Sequence, residues 1–293
     1  ETDDNRRCKE NDADDVANEK KINIIKLNIM ADNKIIDGKL IAATIKKEIA
    51  TEVANMIDQG QDAPHLAAVI VGEDGASLTY VASKEKASRS VGMISSVYRL
   101  KATATEQEVL DTVNFLNNDP EVDGYIVQLP LPAHINETKV IQSISPNKDV
   151  DGFTLYNIGL MQLGEPCYLP ATPYGILELL KRSNVEISGK HVVVLGRSNI
   201  VGTPVSVMLS RKGIDATVTM CHTKTKNIED ITRQADILIV AVGQPHFVKA
   251  DMVKEGAVVI DVGIHRIEDD SEKGYHIIGD VDFDEVYKKA SKI

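Results

Sequence analysis

The feature that most constrains the fold is a regular alternation of short apolar runs and amphipathic segments, which begins at Lys34. Residues 66–71 form a continuous apolar run of strand length, whereas apolar residues three or four apart over 38–59 mark one face of a helix. Residues 237–242 are apolar at every position, as is typical of a strand covered on both faces of a parallel sheet. The alternation therefore favours parallel sheets flanked by helices.

The predicted elements fall into two groups, and the join between them lies at residues 150–175. In the first group the pattern predicts helices over 38–59, 76–91 and 105–118 and strands over 66–71, 94–100 and 124–128. In the second group it predicts helices over 176–181, 201–212 and 228–234 and strands over 191–195, 216–220, 236–242 and 257–262. The sequence thus predicts an α/β protein of two domains, each a mainly parallel sheet with flanking helices.

Composition excludes several classes of protein. The chain has 293 residues and a formal net charge of −11, and it contains no local basic stripe for a phosphate backbone, so we expect no nucleic-acid partner. It also contains no uninterrupted apolar run of membrane-spanning length, so we expect no membrane partner. Three widely spaced cysteines and seven scattered histidines predict neither a disulfide framework nor a metal site. A reducing compartment, the cytoplasm, is the expected location.

The first 29 residues differ from the rest, and residues 1–15 hold seven acids and three bases with few large apolar side chains. We expect this leader to be either a disordered tail or sequence upstream of a natural start at Met30. It has the pattern of neither a signal peptide nor a transit peptide, so no export or organelle address is expected.

A glycine-containing loop follows the strand predicted at 191–195. It has the sequence GRSNIVG over 196–202 and leads into a helix, whose first backbone N–H groups can bind a pyrophosphate. The loop is not a G-x-G-x-x-G fingerprint, because Ser198 occupies the position of the second glycine. From this pattern alone, a dinucleotide site and an ordinary strand-to-helix turn both remain open.

The segment after the next strand bears on which dinucleotide would bind. An NAD-specific domain places an acid there for the ribose 2′-hydroxyl, but residues 221–224 read CHTK. Arg197 on the glycine loop can pair with a 2′-phosphate, which a carboxylate would repel. We therefore predict NADP over NAD. The alternative is that Arg197 and Lys224 are solvated surface charges.

Tyr80 and Lys84 lie four residues apart on one face of the predicted helix 76–91. Taken alone, such a pair is usually a surface contact. It also imitates the Tyr-x-x-x-Lys pair of short-chain dehydrogenases, but in those proteins the pair follows the glycine-rich loop instead of preceding it. We reject that interpretation on the order of the motifs.

A set of segments in one order identifies a closer relationship. They are VGEDGAS (71–77), YVASKEKA (80–87), QLPLP (128–132), KDVDGF (148–153), PATPYG (170–175) and GRSNIVGTP (196–204). From about residue 34 to 293 the chain resembles the bifunctional methylenetetrahydrofolate dehydrogenase/methenyltetrahydrofolate cyclohydrolase family. The resemblance implies oxidation of 5,10-methylenetetrahydrofolate by NADP, then hydrolysis of the methenyl product to 10-formyltetrahydrofolate. It also implies a homodimer, with tetrahydrofolate derivatives as the small-molecule partners.

The resemblance assigns roles to particular residues. The catalytic set it implies is Lys84 as general acid and base with Tyr80 and Gln128 as its partners. The implied substrate-binding residues are Tyr80, Gln128, Leu129, Pro130 and Asp151. The implied cofactor-binding residues are Gly196, Arg197, Ser198, Ile200, Val201, Gly202, Thr223, Val242, Gly243 and Ile264. The expected domains are a catalytic, folate-binding domain over 30–151 and an NADP-binding, Rossmann-like domain over 152–293.

The chemistry of these roles can be argued separately. A free lysine is almost wholly protonated at neutral pH, and general-base work requires the neutral amine. The methenyl substrate is a cation, so its arrival beside Lys84 would disfavour the ammonium form, as would partial burial of the side chain. The carboxylate of Asp151 suits the amino and ring N–H groups of a pterin and would offset the cation.

Two departures from the family pattern leave alternatives open. Family members continue past the region of Ala290 with a Pro- and Gly-rich loop and a final helix, whereas this sequence ends at Ile293. Either a tail has been left out or ligands should bind weakly. Ala171 replaces the cysteine of many relatives, and we expect little effect. The alternatives are another NADP-dependent oxidoreductase or a ligand-binding protein inactivated by its shortened C-terminus.

Overall fold

The computed structural model describes residues 34–271 and 274–293. The leader expected at residues 1–29 lies outside these ranges, so that expectation is not addressed by the structure.

The first unit is built on a three-stranded parallel sheet of order β2-β1-β3. Its strands are β1 (His65–Val71), β2 (Ile94–Leu100) and β3 (Gly124–Val127). Its helices are α1 (Gly38–Asp58), α2 (Gly75–Ser90), α3 (Glu106–Asn118) and α4 (Glu137–Gln142). The central strand β1 is buried from Ala67 to Val71, which explains why it reads as a continuous apolar run rather than an alternating one.

The second unit is a four-stranded parallel sheet of order β5-β4-β6-β7, with a short antiparallel hairpin. Its strands are β4 (His191–Leu195), β5 (Thr217–Cys221), β6 (Ile237–Val240), β7 (Val258–Asp261), β8 (His265–Glu268) and β9 (Tyr275–Ile278). The helices after the first unit are α5 (Leu155–Leu163), α6 (Ala171–Arg182), α7 (Gly202–Ser210), α8 (Ile228–Thr232) and α9 (Phe283–Lys289), with a 3₁₀ turn at Ala250–Met252. Strands β4 and β6 carry the core of this unit, because their side chains are buried on both faces.

Capping side chains fix where the helices of the first unit begin. The carboxylate of Asp74 accepts a hydrogen bond from the Ser77 backbone N–H at 2.8 Å and starts α2 directly after β1. At the start of α3, Thr105 and Glu108 form a reciprocal capping box. These local signals place α2, and with it Tyr80 and Lys84, at the carboxyl end of β1.

The two units are joined at α1 and α6. The guanidinium of Arg182 on α6 donates to both carboxylate oxygens of Glu48 on α1, at 2.8 and 2.7 Å. The chain just before α1 also pairs with the C-terminus, since Ile36 N donates to Ile293 O at 2.7 Å and Ile293 N donates to Lys34 O at 2.8 Å. Helix α1 therefore spans from the first sheet to the side of the second.

The predicted fold class, two α/β units with parallel sheets, is confirmed. One element is longer than predicted: α6 begins at Ala171, not at residue 176, because Pro170 and Pro173 lie at the N-cap and in the first turn, where proline is compatible with a helix. The sequence analysis did not predict α4, α5, α9 or the β8–β9 hairpin. Within the described ranges, no helix combines the length and apolarity that a bilayer crossing requires.

Candidate active site

A cleft of about 500 Å³ lies where the carboxyl ends of the strands of both sheets meet. It is lined by Tyr80, Lys84, Val127, Gln128, Leu129, Asp151, Phe153, Ala171, Thr172, Ile200, Val201, Val262 and Ile264. In open parallel sheets, ligands bind outside the carboxyl ends of the strands. The structure therefore brings the predicted catalytic residues to one wall and several predicted cofactor residues to the opposite wall of a single cavity.

Lys84 and Gln128 meet across the junction of α2 and β3. The Lys84 amine donates to Gln128 Oε1 at 3.3 Å. The amide Nε2 of Gln128 donates in turn to the Leu129 carbonyl oxygen at 2.7 Å. This second bond fixes which way the amide points, because the nitrogen is occupied and the oxygen is left to face the amine. The pair can thus orient a proton donor or acceptor toward the cleft.

Lys84 has an exposed side chain. Tyr80, one helical turn earlier on α2, is 50% exposed. Desolvation of the amine would require a bound ligand that covers this face.

Asp151 faces the same cleft from the segment between α4 and α5. Burial raises the pKa of its carboxyl group, the positive charge of Lys84 opposes that rise, and the negative charge of Asp149 adds to it. Asp151 is therefore a carboxylate held in a poorly solvated position near one cation, which suits it to a ligand that supplies N–H donors and positive charge.

Asp149 holds the loop that carries Asp151. It is 1% exposed and accepts hydrogen bonds from the backbone N–H groups of Phe153 and Thr154, at 3.1 and 2.8 Å. It also accepts from the Asn157 side chain at 2.9 Å. The first aspartate of the DVDG segment is thus a structural acceptor and the second one reaches the cleft, so the two acids have different roles.

A second cavity, of about 450 Å³, lies over the carboxyl ends of β4, β5 and β6. It is lined by Leu195, Gly196, Arg197, Cys221, His222, Thr223, Thr225, Ile228, Ala241, Val242, Gln244 and Phe247. Gly196 has φ +114°, and a Cβ on Gly202 would collide with the carbonyl of Gly196. Glycine at these two positions allows the strand end and the helix start to pack closely, as a dinucleotide loop requires.

The predicted cofactor residues divide between the two cavities. Gly196, Arg197, Thr223 and Val242 line the second cavity, and Ile200, Val201 and Ile264 line the cleft. The predicted cofactor residues Ser198, Gly202 and Gly243 line neither cavity, and Pro130, which was predicted to bind substrate, also lines neither. Ser198 accepts a hydrogen bond from the Val201 N–H at 3.1 Å, Gly202 is buried beneath Gly196, Gly243 donates to Asp280 at 2.9 Å, and Pro130 is exposed.

Several lining residues were missed by the sequence analysis. In the cleft they include Phe153, Thr172 and Val262, and in the second cavity Thr225 and Phe247. Their available signal was position, since each lies in a loop after a strand or at the start of a helix. In residues 34–271 and 274–293 no group of three or more His, Cys, Asp or Glu side chains could hold a metal ion.

The fold and cavities define a class: a two-unit α/β protein with one cavity at the carboxyl ends of the strands of its second sheet and a cleft between the two units. The tetrahydrofolate dehydrogenase/cyclohydrolase catalytic-domain model matches residues 36–151, and that family's NAD(P)-binding-domain model matches residues 170–293. The chain belongs to this family, and the resemblance inferred from its motifs is confirmed. It is a bifunctional methylenetetrahydrofolate dehydrogenase and methenyltetrahydrofolate cyclohydrolase.

Individual relatives agree over most of both chains. The chain is 55% identical to the bifunctional protein FolD of Cytophaga hutchinsonii over 263 residues, 89% of this chain and 91% of the relative. It is 56% identical to that of Bacteroides fragilis, covering 88% and 89%. The crystal structure of the Campylobacter jejuni enzyme matches with a TM-score of 0.83, 45% identity and coverage of 88% and 89%. The Trypanosoma brucei enzyme, complexed with NADP and an inhibitor, has a TM-score of 0.83, 38% identity and the same coverage.

The raised pKa of Asp151 predicts a stabilising substitution. Above its folded-state pKa, the ionised carboxylate is less well solvated in the folded chain than in the unfolded one, so it lowers stability there. Asp151→Asn should raise the Tm of the ligand-free protein at pH 7 by roughly 2 °C. The gain should shrink as the pH falls through the folded-state pKa, because the wild-type carboxyl is then protonated.

Differential scanning calorimetry at pH 7 and at mildly acidic pH measures this effect. Asp62→Asn, at an exposed loop position, is the matched control and should leave Tm unchanged at both pH values. A Tm of Asp151→Asn that is lower than wild type at pH 7 would contradict the interpretation.

Proposed function

We propose that both reactions occur in the cleft between the two units, with Lys84 as the general acid and base. The observation that carries this proposal is the grouping of Lys84, Gln128, Tyr80 and Asp151 on one wall of a cavity whose opposite wall is formed by Ile200, Val201 and Ile264. A folate bound there would lie between the acid–base group and the nicotinamide end of a dinucleotide. One bound position would then serve both reactions.

In the proposed complex, Asp151 accepts from the amino and ring N–H groups of the pterin. The half-exposed ring of Tyr80 stacks on the flat ligand, and Leu129 supplies an apolar wall next to Gln128. Pro130 is retained as a proposed contact only through the family resemblance, since it is exposed outside the cleft. The charge of Asp151 also favours the methenyl cation over the neutral methylene compound, which helps to retain the intermediate between the two reactions.

Hydrolysis needs a neutral amine at Lys84. The methenyl cation, bound within reach of this exposed side chain, covers it and places a like charge beside it, and both effects favour loss of the proton. The amine then accepts a proton from the attacking water as a carbon–oxygen bond forms at the methenyl carbon. It returns that proton to the pterin-ring nitrogen as the carbon–nitrogen bond breaks, and the second proton of the water is released to solvent. Gln128 orients the amine through the 3.3 Å bond.

The second cavity fits a dinucleotide. Helix α7 begins without a capping side chain, so its first N–H groups face the glycine loop, and the close packing of Gly196 and Gly202 leaves backbone at the surface. NADP, when bound, supplies the hydride acceptor for the dehydrogenase reaction. Arg197 and Thr223, both exposed at the rim, are proposed to hold the 2′-phosphate, and no acid lies at that position. The other proposed contacts are Ser198, Ile200, Val201, Gly202, Val242, Gly243 and Ile264.

Three further properties rest on the family resemblance. We propose a domain boundary at residues 151/152, between the folate-binding and cofactor-binding domains. Homodimer formation and a cytoplasmic location complete the proposal. The described cysteines, Cys167 and Cys221, are both unpaired, which is consistent with a reducing compartment. Sedimentation equilibrium at micromolar concentration should give twice the 32.0 kDa chain mass, and a monomer mass across that range would count against the dimer.

Lys84→Met is the direct test of the acid–base role. Methionine keeps the length and apolar stem of the side chain but cannot exchange a proton. We expect the cyclohydrolase rate to fall about 10²-fold or more, the usual size of a general acid–base contribution, while NADP affinity stays within twofold.

Hydrolysis is followed by loss of the methenyl chromophore, corrected for the uncatalysed reaction. Lys86→Met, two residues along α2 and outside the cleft, is the control and should keep wild-type activity. If Lys84→Met retains cyclohydrolase activity, another group performs the proton transfer.

Arg197→Ala tests the cofactor preference. If the guanidinium pairs with the 2′-phosphate, its removal should weaken NADP binding at least about tenfold, the size expected for hydrogen bonds to a charged group. NAD binding should change little, since NAD lacks that phosphate.

Isothermal titration with both dinucleotides measures the two affinities. Arg233→Ala, which removes an exposed arginine at the C-cap of α8 and outside the second cavity, is the control. An equal loss for NADP and NAD would mean that Arg197 contacts a part common to both, and the predicted preference would then lose its basis.

A further inference from the structure

Asp280 is a fully buried carboxylate beside the cofactor cavity, at 0% exposure. Its Oδ2 accepts hydrogen bonds from two successive backbone N–H groups, those of Val242 at 2.8 Å and Gly243 at 2.9 Å. Its Oδ1 contacts Nε2 of His265 at 2.7 Å. One side chain therefore fixes the turn that follows β6 to the first strand of the hairpin.

A second carboxylate, that of Asp261 at the end of β7, holds Asp280 in place. Its Oδ1 accepts from the backbone N–H groups of Gly263 at 2.9 Å and Asp280 at 3.0 Å, and its Oδ2 accepts from that of Val281 at 3.0 Å. A Cβ on Gly263 would collide with Asp280, and a Cβ on Gly279 would collide with Asp261. Glycine at both positions lets the two acids approach the opposing backbone.

The residues that this pair fixes belong to both cavities. Val242 lines the cofactor cavity, whereas Val262 and Ile264, which flank Gly263, line the reaction cleft. The carboxylates of Asp261 and Asp280 thus fix the Val242–Gly243 turn relative to Val262 and Ile264. A dinucleotide would lie against the turn, and its nicotinamide end would lie against Val262 and Ile264.

We propose that Asp280 is a positioning residue for the cofactor, which holds the Val242–Gly243 turn in the geometry that the dinucleotide requires, with Asp261 as its support. This inference rests on the proposed function, since it takes the cofactor to occupy the second cavity and to reach Ile264. Asp280 acts through the backbone and contacts neither cavity itself.

The Val242–Gly243 turn is held by a pair of buried acids, Asp280 and Asp261. Burial raises the pKa of Asp261, three backbone N–H bonds oppose that rise, and the charge of Asp280 adds to it, so the two acids are held close together against their mutual repulsion. A charged pair retained at such a position is consistent with a need for fixed geometry at the adjoining site.

The test compares Asp280→Ala with Asp280→Asn in the full chain. Alanine leaves the two N–H groups of the turn without an acceptor, and we expect the dissociation constant for NADP to rise at least about tenfold, since small misplacements at such sites have large effects. Asparagine can turn its oxygen to the two N–H groups and its amide nitrogen to His265, so it should restore affinity to within about threefold of wild type.

Asp236→Ala is the matched control for lost stability. Asp236 lies at the opposite, amino end of the same sheet, where it accepts from His191 N at 2.9 Å and from Lys254 at 2.6 Å. This variant should lower Tm without changing NADP affinity. The cyclohydrolase rate should stay within twofold in all variants, because that reaction uses residues of the other wall. Parallel loss of both activities in Asp280→Ala would make its role merely structural and overturn the inference.

Two further readouts keep the test decisive. If Asp280→Ala does not fold, His265→Ala removes one of the three groups bonded to Asp280, and a rise of about threefold in the NADP dissociation constant is expected. An unchanged constant would overturn the inference. If Arg197→Ala weakens NADP binding but the Asp280 variants do not, this inference alone fails. If neither residue affects it, the proposed cofactor site fails as well.

Discussion

Parallel pairing around two buried central strands, β1 and β4, is the constraint on which the rest of the structure depends. In a parallel sheet every strand ends at the same edge, so each loop that follows a strand emerges on one side. The carboxyl ends of the strands of both sheets face a common cleft. Residues far apart in sequence, such as Lys84 and Ile264, therefore line one cavity. Arg182 on α6 donates to Glu48 on α1. These contacts join a helix of the second unit to a helix of the first, and they help to fix the position of the first sheet relative to the second.

The charges at the cleft follow from this geometry. A loop that leaves the edge of a sheet carries polar side chains into space that is only partly accessible to water. Asp149 uses its burial to organise backbone, whereas Asp151 is left facing the amine of Lys84 with an unfavourable solvation that a ligand can relieve. The same logic recurs in the second unit. Asp280 accepts from the consecutive N–H groups of Val242 and Gly243 after β6, and Asp261, at the end of β7, accepts from those of Asp280 and Val281. In each pair one acid, Asp149 or Asp261, accepts hydrogen bonds from backbone N–H groups. The position of the other acid, Asp151 or Asp280, depends on those bonds.

The sequence predicted the two sheets because central parallel strands have an unmistakable pattern, a short run that is apolar at every position. It assigned roles to residues through motifs whose order along the chain is specific to the family, and those roles stay predictions. It did not predict α5, which lies in the join between the units. No predicted strand flanks this segment, so its apolar residues were not assigned to a helix. Nor did it predict the role of Asp280, since this residue opens an acidic segment, DVDFDE over 280–285, that carries no sign of burial. The sequence analysis named burial of Lys84 only as a condition that would favour the neutral amine, and the structure shows this side chain exposed.

The proposed use of one cleft for both reactions requires different properties of its two walls. Hydride transfer needs a fixed distance between two bound molecules, and in the proposal the second sheet supplies that rigidity through buried carboxylates and tightly packed glycines. Proton transfer needs a group whose charge changes during the reaction, and the exposed amine of Lys84 at the mouth of the cleft can exchange its proton with solvent. An amine buried in the free enzyme would lose that exchange, and a flexible cofactor wall would lose the fixed distance. The two walls therefore need opposite properties, and placing them on separate sheets allows one molecule to have both.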